Sequence, residues 1–536
     1  MLSYRLMEAE SSPNSQTERQ IAAARLGEVY ARNWLPHLPE GPRLKVSAAV
    51  STLASAYEKF RQAMEYNEPH LLRRSATERI LGRRLRADSN TNLVASGLVN
   101  ELIRGRYLQN DFYPESLVGE MEKIVEKYRQ VLHTKNLAPS DDAFSFLLRL
   151  ASAEIEEFFS PPDRDDALKE LMAANVKKSL TISDPALTEA QALVQLKVAI
   201  DRNLLKFDRA MLEFNVFELF YPDWKRWGTA HVQEVSGNLE HIRSSVKKIL
   251  EYPLGGTLTA ISRRYAAPFI LLKDALERNG SGIIQDKLAL ARAIAQSYEQ
   301  WMGRERNRLA TTTTRALLYI FLTKAVLSFA VELPFELFIY GGVRFLPFAI
   351  NFIFPPFFLF LLTLSLNLPG QENEARILEA AKEAVYGNGG VFGEHNRVEV
   401  KNRGFGTGAT LFVTYFLAFF LIFGGVSYFL NQLDFSPLAI ALFLFYTSLV
   451  TYFGVKVRES SQEMRMAGGK ETMGSVAFDF LALPFLQVGK VVSAGLAKFN
   501  FLVLFVSLIV EAPIQTLLEF LEEWIRFARE KKEEVY

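Results

Sequence analysis

Six ionisable residues lie inside apolar stretches of this 536-residue chain: Lys324, Glu332, Glu336, Asp479, Lys490 and Glu511. Glu332 and Glu336 belong to the run VELPFE, and Glu511 to the similar run VEAPIQ. Charge inside a bilayer is costly and commonly marks an ion or proton path. Two readings stand. In the first, these residues form such a path. In the second, Glu332 and Glu336 sit near the outer interface, Glu511 lies in an interfacial helix, and Lys324 snorkels to the other side. Lys324 and Glu332 are about 12 Å apart along a straight helix, which predicts no direct pair. Pro334 predicts a kink, because it removes a backbone hydrogen bond.

Other chemistry finds little support. Arg73, Arg74, Arg79, Arg83, Arg84 and Arg86 form a basic cluster. It suits anionic lipid headgroups, or else a solvated helix face. The stretch GNGGVFGEHNRVEVKNRGFGTG lacks the phosphate-loop pattern and reads as a mobile loop. The histidines contain no H-E-x-x-H, and no G-x-S-x-G occurs. No catalytic residue, metal site or cofactor is expected. Cysteine is absent, which excludes disulfides and thiolate ligands. A net charge of +1 gives no sign of a nucleic-acid partner.

The elements that position these residues fall into two classes. The chain is 49% hydrophobic, with 42 Phe, yet 23% charged. That mixture predicts an all-α protein with a soluble helical domain followed by a helical membrane domain. Residues 1–310 read as a cytoplasmic domain. Its expected helices are Thr17–Trp34, Leu44–Tyr66, His70–Arg86, Asn92–Leu108, Pro114–Leu137, Asp141–Phe159, Asp184–Phe220, Thr229–Glu251, Leu258–Arg278 and Ile283–Leu309. Ile284, Leu288, Ala291, Ala295, Tyr298 and Met302 keep heptad-like spacing, predicting a seam packed within the chain or against a second copy.

Residues 311–369 and 409–456 read as transmembrane hairpins, with spans Ala316–Gly341, Phe345–Leu366, Ala409–Leu430 and Leu438–Gly454. Residues 370–408 join them as a helix and Gly-rich loop. Residues 475–520 read as re-entrant or interfacial segments, or a third hairpin, before a charged tail at 521–536. Lys and Arg flank one side of the hairpins, while Arg344 is alone on the other. This places both termini in the cytoplasm and the protein, multi-pass, in the plasma membrane. The N-terminus shows no apolar signal region, so the first span is expected to direct insertion.

The segments NELIRGRYLQNDFYPES, LASAEIEEF, FDRAMLEFNVFELFYPDWKRW, FLTKAVLSFAVELPFE, NFIFPPFFLFLL and FDFLALPFLQVGK…NFLVLFVSLIVEAPIQTLLEFLEEW carry a resemblance. Through them the chain resembles an uncharacterised family of bacterial polytopic membrane proteins. The resemblance implies membrane location and topology and no activity. The expected partners are the lipid bilayer, a protein bound by the helical domain, and a second copy of the chain. A membrane-anchored scaffold is the first functional expectation, a transporter or channel the second, and a membrane enzyme the third.

Overall fold

A computed structural model describes residues 15–32, 41–46, 71–87, 90–184, 187–226, 231–364, 369–387, 389–393, 396–399, 405–461, 463–466 and 473–498. The protein is 82% helical with almost no strand, an all-α fold. It divides into two compact units. The first runs to Asp286 and takes in the described part of Ala381–Val400. The second comprises Lys287–Ala380 and the described part of Lys401–Asn500. The division therefore falls inside the 1–310 stretch that composition reads as one domain.

In the first unit the helices are α1 (Ser15–Ala31), α2 (Leu72–Ala87), α3 (Thr91–Arg104), α4 (Leu117–Thr134), α5 (Asp142–Phe159), α6 (Asp163–Val176), α7 (Glu189–Asn203), α8 (Arg209–Phe220), α9 (Val232–Leu250) and α10 (Gly255–Asn279). Local capping sets several of their ends. Asn90 accepts from Asn92 N and Leu93 N to start α3, and Thr188 with Gln191 closes a capping box on α7. The expected single helix Asp184–Phe220 is two helices. Lys206 adopts φ 52°, and Asp208, in extended backbone, accepts from Met211 N at 3.1 Å to start α8 afresh. Helix α6 is an addition to the sequence reading. Its first turn holds Asp163, Asp165 and Asp166, which suit the positive end of the helix dipole, and Leu168, Leu171 and Met172 are buried. Beyond Val46, the run Leu44–Tyr66 lies outside the described residues.

Trp224, just after the end of α8, is a core anchor with 1% exposure. Its indole Nε1 donates to Glu154 Oε2 at 2.9 Å, and Tyr128 Oη donates to the same oxygen at 2.8 Å. Lys127 Nζ donates to Glu154 Oε1 at 2.5 Å and to the Trp224 carbonyl at 3.1 Å. The carboxylate is thus fully partnered, as a buried charge must be.

The Gly-rich stretch is not a free loop where it is described. Val391 N donates to Glu383 Oε2 at 2.7 Å. Phe392 is buried beside Tyr265 and Phe269, and the Ser179 hydroxyl donates to its carbonyl. Residues 396–399 then form strand β2 (Asn396–Glu399), parallel to β1 (Leu180–Ser183), with Leu180 opposite Asn396. Two four-residue strands carry too little alternation to be legible in sequence.

The second unit holds α11 (Lys287–Leu327), a π-turn (Ser328–Glu332), α12 (Leu333–Tyr340), α13 (Phe345–Leu364), α15 (Phe405–Gln432), α16 (Pro437–Ser461) and α17 (Met473–Lys498), with α14 (Gln371–Tyr386) straddling the division. The heptad seam is only partly buried, with Tyr298 inside and Leu288 outside. Leu288 is 66% exposed, and the buried face is Leu290, Ala293, Ile294, Ser297 and Tyr298. Among the described residues three helices are long and apolar enough to cross a membrane: Lys287–Tyr340, Phe345–Leu364 and Pro437–Arg458. Phe416–Gln432 and Leu481–Ser493 are shorter apolar helical stretches. Large side chains such as Phe321, Val326, Phe338 and Phe357 are left exposed on them.

Candidate functional site: a buried polar clasp

The site starts with the π-turn. On a continuous α-helix, eight residues would leave Lys324 and Glu332 about 80° apart around the axis. One extra residue in the turn takes back about 100°, so the two side chains emerge within about 20° of each other. Leu333 N accordingly bonds back to Ser328 O. Pro334 in the next turn supplies no N–H, which suits a stretch where the regular ladder is already interrupted.

The expectation of no direct pair is thereby corrected. Lys324 Nζ lies 3.2 Å from Glu332 Oε2, and their side chains are 0% and 2% exposed. Ser328 Oγ donates to the same oxygen at 2.9 Å. Asn351 Nδ2, from α13, donates to Glu332 Oε1 at 2.6 Å and to the Ala439 carbonyl of α16 at 3.2 Å. The Tyr446 ring of α16 faces Lys324 Nζ at 5.1 Å. One carboxylate and one ammonium therefore join α11, α13 and α16 through fully buried groups. Lys324 does not snorkel, and Glu332 does not reach an exposed interface. Among the described residues, Asn351 Oδ1 is buried without a hydrogen-bond partner. The amide orientation is nevertheless fixed, because the flipped amide would set Oδ1 against the carboxylate.

Glu336 belongs to a different contact. Arg344 donates to both its oxygens at 3.0 Å, closing the turn between α12 and α13, and the guanidinium stands 4.2 Å from the Tyr340 ring centre. Gly341, in left-handed backbone at φ 70°, makes that turn. Lys490 is exposed on α17 and does not join the clasp. Asp479 is placed on α17 by its backbone alone, and Glu511 lies outside the described residues. The six candidates therefore yield one pair at the clasp and one residue at the hairpin turn. Ser328, Asn351 and Tyr446 were missed. The lone amide in NFIFPPFF was the available signal.

The arginine cluster is drawn into contacts within the first unit. Arg73 forks onto Glu156 at 2.9 and 2.6 Å and stands over Phe159. Arg74 is buried between Glu78 and Asp208. Arg83 and Arg84 share Glu101, Arg86 stands over Phe144, and Arg79 also interacts within the chain. Most of these guanidiniums are engaged with carboxylates and rings of the same unit, while Arg86 stays exposed.

Among the described residues, no group of three or more acidic or histidine side chains is arranged to hold a metal. No protein-family model, curated protein or solved structure matches the chain.

Proposed function

We propose that this is an integral membrane protein whose second unit is a closed anchor and whose first unit is a helical platform for a protein partner. The clasp carries the reading. A path needs charges that exchange with water, whereas Lys324 neutralises Glu332 in an enclosed site that ties three helices together. A satisfied buried pair fixes packing and register rather than conducting. Length and composition of three helices support insertion, and their exposed Phe, Val and Leu side chains suit hydrocarbon. The lysine and arginine asymmetry supports a topology with the hairpin turns outside and both termini in the cytoplasm of a plasma membrane.

A transporter or channel subunit is the second reading. One observation favours it: among the described residues, Asn351 Oδ1 is an unpartnered acceptor beside the carboxylate, next to a π-turn, a feature frequent at functional sites. Proteoliposomes loaded with a pH-sensitive dye separate the two. The anchor reading expects no proton flux above empty vesicles. A proton flux through the wild-type protein above that of empty vesicles would establish transport instead.

A further inference from the structure

The first unit contains a cleft of about 940 Å³ between α4 and the C-terminal end of α5. Its charged floor is made by Lys127, Glu154, Glu157 and Lys225, and its apolar wall includes Phe158 and Pro161. The Lys127–Glu154 pair is closed, because Tyr128 and Trp224 take the second carboxylate oxygen. Lys225 is in a different position. It pairs with Glu157 and also with Glu218, at 2.8 Å from the latter. One ammonium thus serves two carboxylates. The same imbalance lies behind it, where Lys169 is shared by Asp166 at 2.8 Å and Asp201 at 3.3 Å. At the rim, Lys123 is tied to Glu120 and Arg226 is the remaining cation. Among the described residues, five carboxylates and four cations line the cleft, and Arg129 outside the lining pairs with Glu126, so the excess negative charge lies at Glu157 and Glu218, which share Lys225.

An excess carboxylate in a poorly solvated site gains from an incoming positive charge. Glu157 has a side chain only 4% exposed. Beside it Phe158 is 43% exposed, an aromatic face of the kind that attracts cations. We propose that this cleft binds an organic cation, the ammonium or guanidinium of a lysine or arginine side chain presented by a partner protein. The charge meets Glu157, and the aliphatic stem lies along Phe158 and Pro161. An anion is disfavoured because both floor ammoniums are already committed to carboxylates. The identity of the cation's carrier rests on the platform reading above, whereas the site itself does not.

Burial, partly offset by Lys225 and reinforced by Glu218, pushes the Glu157 carboxyl up to about 7, so titrations belong near pH 8. The probes are N-acetyl-arginine amide, its neutral citrulline isostere and N-acetyl-glutamate amide, added to the full chain in detergent and followed by saturation-transfer NMR. The arginine compound should bind at least about tenfold more tightly than the citrulline compound. Glu157→Gln should remove that preference. Phe158→Leu, at an exposed position, should weaken the arginine compound severalfold even if the Gln variant folds poorly. Equal binding of the arginine and citrulline compounds, tighter binding of the glutamate compound, or no arginine-specific signal would overturn the proposal. Each of these leaves the anchor reading untouched, since the flux assay tests that separately.

Discussion

Replacing Lys324 with Met removes the ammonium and keeps most of the side-chain volume. Glu332 would then be a carboxylate with a 2% exposed side chain, held only by Ser328 Oγ and Asn351 Nδ2. Breaking a buried pair from one side costs about 3–5 kcal/mol, because the remaining charge is stranded. Two surviving donors place the expected loss near the lower end, about 3 kcal/mol. Glu332→Gln alone strands the ammonium against the Tyr446 ring and should cost a similar amount. The double variant has no stranded charge. Its Gln can still accept from Asn351, so most of the loss should return. The assay is a double-mutant cycle on detergent-solubilised protein, read by thermal and denaturant midpoints. Additive losses would refute the pairing. A neutral or stabilising Lys324→Met would show a lysine that merely snorkels.

Gly489 packs its backbone against α16. A Cβ there would lie 2.3 Å from the Ser448 carbonyl oxygen, so Gly489→Ala should cost about 1–3 kcal/mol in the same unfolding assay. In the first unit, the raised Glu157 carboxyl keeps its proton in the folded chain while the unfolded chain has lost it, so its contribution to stability falls as pH rises from 4.5 to about 7. Stability of the wild type relative to Glu157→Gln should therefore drop by at most about 3 kcal/mol across that window, and a flat difference would contradict it. The chain has no cysteine, so topology can be mapped on a clean background. Gly342→Cys and Gln432→Cys should label with an impermeant thiol reagent added to intact cells, and Ser460→Cys should not.

Helix content was readable because apolar spacing in segments such as Pro114–Leu137 and Asp141–Phe159 has the helical period, and α4 and α5 lie there. The break within Asp184–Phe220 was not, since it depends on one left-handed lysine and an Asp cap inside a continuous apolar pattern. The exact phase of the seam was not legible for a related reason. Spacing fixes the period of a stripe, but neighbouring elements decide which stripe is buried, and here it is the one through Leu290 and Ile294. For the clasp, the sequence showed that Lys324 and Glu332 are charges inside an apolar stretch. It hid that they partner each other, because the 12 Å argument assumed an unbroken α-helix and a single π-turn reverses the answer. The partners of the arginine cluster, Glu101, Glu156 and Asp208, were not legible because they are distant in sequence.

On the proposed anchor reading, the clasp is a polar site sealed away from water. Ser328→Cys places a small thiol at the clasp in an otherwise cysteine-free chain, where Ser328 is 0% exposed. In native membranes a small cationic, water-soluble thiol reagent should leave this cysteine unmodified from either side, while Gly342→Cys in the same preparation reacts. Modification of Ser328→Cys at a rate comparable to Gly342→Cys would mean that water reaches Glu332, and would contradict the closed anchor.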